Sequence, residues 1–294
     1  MAITGVRDIA DCEIEGRSRT YTFRKTPSQA SVIGLWFDLS MSPGNPVPKY
    51  WFDAPPLIGK KIIQNAEGAQ SGDGGIFHGS NTSPEQQYLR KIRVFTNTAT
   101  ALPMNLILCD YLLYYPSIDD GTTDVQTMDA ASQTLPRYTS GEGVMMVAVT
   151  TAARTGGQSF SVNYTNSDGV SNRTSATVRQ NTTAIVGTVT TSERANATSS
   201  GNPFIGLQSG DRGVRSVESV TMNGTDFGLF SIILVKPIAQ ITLPSITAPY
   251  EKDFYINSQE LPKIEDNAYL NFLSLPLGSL AATAVSGDLQ VIWK

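Results

Sequence analysis

The stretch from Ser159 to Val178 reads as a strand, a turn and a returning strand. Phe160, Val162 and Tyr164 alternate with Ser161, Asn163 and Thr165. Successive side chains of a strand point to opposite faces, so this period of two gives one apolar face and one wet face. Asp168 and Gly169 follow, and glycine supplies the positive φ that a tight turn needs, so the two runs are expected to pair antiparallel.

The same grammar recurs from Arg90 onwards. Apolar runs at 144–149, 183–189, 213–220, 227–235, 268–273 and 289–293 are separated by turn residues. The run 106–115 reads as a buried strand by its length and by Asp119, Asp120 and Gly121 beyond it, although periodicity alone does not exclude a helix there. Asn223-Gly224 between two of the runs predicts a second hairpin. Ser83-Pro84 predicts one short helical turn before the strand at 92–95. Short strands at this spacing, with almost no long amphipathic helix, argue an all-β sandwich or barrel. The alternating run Leu289 to Trp293 is expected to complete a sheet, because chain ends fray unless something holds them. Nothing repeats at a fixed period, which disfavours a solenoid or propeller.

Residues 1–75 differ in texture. Two candidate strands, 19–24 and 32–39, lead into prolines 43, 46 and 48, which cannot donate to a ladder and hold the chain extended. Tyr50-Trp51-Phe52 comes next, with neither helical nor alternating periodicity. We read residues 1–75 as an extended N-terminal arm, bounded by the glycine-rich stretch 68–75, and residues 76–294 as the body. The arm has two readings. Trp36, Phe37, Tyr50, Trp51 and Phe52 pack on their own subunit, as most large aromatics do, or they dock on a neighbour, where Trp and Tyr serve as anchors.

Charged residues make up 16% of the chain against about a quarter in ordinary domains, and Ser, Thr, Asn and Gly take their place. Such a surface suits packing against other protein. A net charge of -4 without a block of one sign leaves no electrostatic footprint for nucleic acid. The start, Met1 to Asp8, lacks the basic and apolar parts of a secretory signal, so no export is expected. The longest apolar run is interrupted by Asp110 and is about half a bilayer span, so no membrane helix is expected. Without an oxidising compartment, Cys12 and Cys109 are expected to be reduced, Cys109 in a buried run.

No catalytic constellation is found, and no cofactor or metal is expected. His78 is the only histidine; it lies in a loop-like context that suggests solvation, and no nucleophile elbow accompanies it. One His and two Cys do not make a zinc site. Asp119, Asp120 and Asp124 have the spacing of oxygen ligands in a calcium loop, but the further ligands and closing glutamate are missing, and an Asx turn is the plainer reading. The Asn-x-Thr triplets at Asn172, Asn196 and Asn223 are what a chain of this composition produces by chance.

Three stretches carry a resemblance: Phe160 to Val170, Pro203 to Val217, and Gly228-Leu229-Phe230. In these the chain resembles virion structural proteins of tailed bacteriophages. The resemblance implies a non-enzymatic virion component assembled in the bacterial cytoplasm. It points to an all-β, antiparallel β-sandwich of jelly-roll type with the arm over a neighbour. Head decoration, or cement, proteins have this outline and often form trimers that clamp adjacent major capsid subunits. A homotrimer partnered by capsid or other virion protein is therefore expected, with Trp36, Phe37, Tyr50, Trp51 and Phe52 as the contact residues. A tail- or fibre-associated adhesin holding host glycans is the alternative.

Overall fold

The computed structural model describes residues 3–31, 33–64, 74–129, 133–190, 201–246, 248–258 and 260–294. Most of the glycine-rich stretch 68–75 and Asn196 lie outside the described residues. The fold is all-β and sandwich-like, with every strand pair antiparallel. Ten longer strands carry it: β1 (Ser18–Lys25), β2 (Gln87–Phe95), β3 (Met104–Asp119), β4 (Met145–Thr155), β5 (Ser159–Asn166), β6 (Val214–Met222), β7 (Phe227–Leu243), β8 (Tyr250–Asp253), β9 (Leu270–Pro276) and β10 (Val285–Trp293).

The central sheet runs β4, β7, β3, β9, and two-residue ladders at Thr183–Ala184 and Phe37–Asp38 close its two sides. A second sheet runs β8, β2, β10, β1, and a third is built on β5 and β6. Parity along the strands shows how they stack. Met146 and Ala148 of β4, with Ile232 and Leu234 of β7, enter a core with Phe160, Val162 and Val220 of the third sheet. Their neighbours Val147, Val149, Ile233 and Val235 enter a different core on the opposite face, with Trp36, Met41, Trp51 and Ile62. Further along the same long strands, Leu106 and Leu108 of β3 and Ile241 and Leu243 of β7 pack against Phe23, Leu89, Ile92 and Val291 of the second sheet. The second and third sheets thus lie side by side on one face of the central sheet. β3 and β7, of 16 and 17 residues, span both lobes, a length of about 50 Å at the usual rise. This strand order establishes antiparallel layers; it does not by itself make a jelly roll.

The opening hairpin forms as expected. β5 pairs with short returns at Arg173–Thr174 and Val178–Arg179. Gly169 takes φ +82, and the Asn166 side chain accepts from the backbone N–H groups of Asp168 and Val170 at 3.1 and 2.9 Å. Asp211 accepts from Tyr164, Asn166 and Arg173 at 2.6, 2.8 and 3.0 Å, pinning the 203–213 loop to β5. The Arg173 guanidinium and these donors hold its carboxyl down at about 2. The terminal strand β10 sits in the interior of its sheet, between β1 and β2, and β3 is a strand buried along nearly its whole length.

Three expectations are corrected. Asn223-Gly224 does not make a hairpin: β6 and β7 belong to different sheets. Neither residue takes the positive φ of a type I′ turn, and Asn223 is instead tied to Ser159, N to O at 2.8 Å and Nδ2 to Oγ at 2.8 Å, so the chain arches from one layer to the next. Ser83-Pro84 leads into a turn closed by Glu85 N to Thr82 O at 2.9 Å rather than into a helix, because β2 begins at Gln87. His78 is not solvated. It is 1% exposed, with Nδ1 facing Gln87 Oε1 at 2.7 Å and Nε2 facing the Ala268 carbonyl at 3.0 Å, because Ile76 bridges to Leu270 and draws the loop against β9. Burial pushes its pKa down. A helix, α1 (Val6–Ile14), lays Ile9 and Cys12 on Tyr88 and Ile292 at the outer face of the second sheet.

Candidate interaction surface

The described part of residues 1–75 enters both sandwich layers: β1 pairs with β10 over its full length, and residues 36–62 cover the outer face of the central sheet. Within that cover lies a buried polar centre. The Asp38 carboxylate, fully buried, accepts from Ser40 N at 2.9 Å, Ser40 Oγ at 2.7 Å, Trp51 Nε1 at 2.5 Å and Tyr111 Oη at 2.8 Å. Burial pushes the carboxyl up, against the pull of these donors. Trp51, 0% exposed, lies flat on Tyr111 with centroids 5.5 Å apart and planes 8° apart, and Tyr114 and Tyr269 flank it.

Lys25 is buried in the same region, its Nζ donating to the carbonyls of Pro46 at 2.8 Å and Ser40 at 3.4 Å. Burial brings its ammonium down to about 7, partly offset by Asp38. The unfolded chain keeps this proton up to about pH 10.4. Between those values the unfolded state binds more protons, so the Lys25 contribution to stability rises with pH and is flat below the folded pKa. Urea unfolding of the wild type and of Lys25→Met at about pH 6, 8 and 10 should show the wild type gaining on the variant above about pH 7. Parallel curves would refute this.

Anchoring Trp51 sets the direction of its neighbours. In an extended chain adjacent side chains alternate, so Tyr50 and Phe52 point outwards, 46% and 52% exposed, with their rings 5.7 Å apart. Lys49 reaches back over the Tyr114 ring at 5.5 Å, and Asp53 takes Lys60 at 2.8 Å and Tyr114 Oη at 3.0 Å. Beside the pair is a hollow of about 110 Å³ walled by Pro27, Phe37, Met41, Pro43, Tyr50 and Val186. The five contact candidates therefore divide. Trp36, whose Nε1 donates to the Gly201 carbonyl at 2.7 Å, Phe37 and Trp51 are packed inside their own subunit. Tyr50 and Phe52 stand free.

The residues considered for chemistry are not brought together. Asp120 is fully buried against Arg154 at 2.8 Å, while Asp119 Oδ1 accepts from Gly121 N at 2.7 Å, an Asx turn. Among the described residues no group of three His, Cys, Asp or Glu side chains could hold a metal. Cys12 and Cys109 are free, buried in different cores, and burial raises both thiols. Among the described residues no helix is long and apolar enough to cross a membrane. No protein-family model, no curated protein and no solved structure matches the chain.

Proposed function

We propose that this protein is a non-enzymatic structural component of a phage virion, a head decoration protein that bridges neighbouring capsid subunits, itself as a homotrimer. The observation that supports the contact is the Tyr50–Phe52 pair: two aromatic rings side by side in water, on a segment whose middle residue is locked into the core. A rigidly held aromatic loses little conformational freedom on docking, which is why such residues concentrate binding energy at interfaces. The small hollow next to the pair offers a complementary socket. The resemblance of residues 160–170 and 203–217 to tailed-phage virion proteins supports the setting, and the scarcity of charge suits a surface that meets other protein. The adhesin reading rests on the same rings, since an exposed Tyr shelf can also stack on a sugar.

Sedimentation with capsids stripped of accessory proteins tests the proposal. The wild type should co-sediment at fixed stoichiometry, and Tyr50→Ala/Phe52→Ala should lose about 2 kcal/mol or more of binding, roughly thirtyfold. Its stability should move by no more than about 0.5 kcal/mol, because both side chains are half in water. Wild-type protein that leaves capsids bare but binds host glycans through the same pair would replace decoration by adhesion.

A further inference from the structure

His78 and Gln87 form a buried chain of polar contacts whose protons do not add up for a neutral ring. Both side chains are shut away from water, at 1% and 2% exposure. Both ring nitrogens of His78 face oxygen acceptors: Nδ1 faces Gln87 Oε1 at 2.7 Å, and Nε2 faces the Ala268 carbonyl at 3.0 Å. The Gln87 amide is oriented from its other side, where Nε2 donates to the Ser80 carbonyl at 2.8 Å. Turning that amide over would set Oε1 against the Ser80 oxygen, which has no proton to give. A neutral imidazole carries one N–H and one lone pair, so it satisfies only one of the two oxygens at a time. The imidazolium donates from both nitrogens and satisfies both.

We infer that His78 is a proton-operated clasp, closed while its ring donates from both nitrogens and opened at Gln87 when Nδ1 gives up its proton. The partners decide which side opens. The Ala268 carbonyl is backbone, and the next residue is fixed on both sides, Tyr269 N donating to Asp110 Oδ1 at 2.9 Å and Tyr269 O accepting from Tyr111 N at 2.9 Å. That side stays. Gln87 is a side chain, and rotation of its terminal amide exchanges donor for acceptor. Once Nδ1 is a bare lone pair, the Gln87 NH2 turns to donate to it, and Oε1 swings towards the Ser80 carbonyl. Two oxygens at that distance with no proton between them repel, so the Ser80–Asn81 peptide moves away. Ser80 and Asn81 are exposed, so a proton gained or lost in the interior is reported at the surface. Burial favours the neutral ring and the two acceptors favour the charged one, with burial the larger. Of the charged groups around the ring, Arg137 opposes a further positive charge and Asp266 favours it, and Arg137 is itself paired with Asp110 at 2.7 Å. The clasp therefore closes on acidification, below the usual imidazole value of about 6.5, and is open at neutral pH.

His78 is the only histidine, so its ring signals are unambiguous in an NMR titration of the full chain. Between about pH 4.5 and about pH 8, on either side of the usual imidazole value of about 6.5, the ring should pass from two N–H groups to one, with the remaining proton on Nε2. The Gln87 side-chain NH2 and the Asn81 backbone N–H should shift with the same midpoint. Gln87→Met keeps the length of the side chain without its amide; it should lower the proton affinity of His78 by about tenfold, the loss of one hydrogen bond to a charged group, and abolish the Asn81 response. A ring that holds one charge state throughout, that keeps its last proton on Nδ1, or that titrates without moving Gln87 and Asn81 would overturn the inference.

Discussion

Replacing Trp51 by alanine should destabilise the protein by about 3–5 kcal/mol, the range for truncating a fully buried aromatic that leaves a cavity behind. The cavity would open between Tyr111, Tyr114 and Tyr269, on the outer face of the central sheet. Trp51→Phe separates the causes. It keeps a ring to lie on Tyr111 but removes the indole N–H that Asp38 accepts, and a hydrogen bond to a charged group contributes about 1.5–3 kcal/mol. Urea unfolding of both variants measures the order: alanine well below phenylalanine, phenylalanine below the wild type. If the two variants match, packing contributes little at this position, and the account of Tyr50 and Phe52 as rings held by a rigid anchor loses its basis.

The second large effect is expected at the far end of β3. Asp120 and Arg154 are both completely buried, paired at 2.8 Å, and Arg154 also meets the Asn181 carbonyl at 2.9 Å and the Gln180 side chain. Removing one partner strands the other charge away from water, so Asp120→Ala should cost about 3–5 kcal/mol. Removing both should cost less than the sum of the two single changes, because the double variant buries no charge. A double-mutant cycle by equilibrium denaturation reads this directly. Additive losses would mean that the pair acts as two independent polar groups.

The fold class was legible because its signals are local. The alternation of Phe160, Val162 and Tyr164 is present in any window of the right length, and those three side chains are buried. Sheet membership is not local. Asn223-Gly224 has the letters of a hairpin turn, but where the chain goes next is decided by Asn223 gripping Ser159, 64 residues earlier. His78 looked solvated for the same reason, since its partners, Gln87 and Ala268, are separated from it by 9 and 190 residues. The first helix did carry a signal. Asp8 accepts from Thr4, N and Oγ1 both, and Ile9 and Cys12 share a face at a spacing of three, a pattern easily lost in a sequence dominated by strands. Of the contact candidates, clustering alone could not show which aromatics face inwards. The geometry around Trp51 divides them, because once it is anchored the rings on either side must point away.

The long strands β3 and β7 have a consequence for how the molecule yields. Each lobe packs its own sheet onto the same two strands, so the pairing of those strands is held from both lobes. The ladder between them runs from Leu229 opposite Asp119 to Leu243 opposite Met104, crossing from one hydrophobic core into the other. A pull along this axis loads many hydrogen bonds in parallel instead of opening them one by one, so the pair acts as a tie-rod through the body and passes strain applied at either lobe to the other.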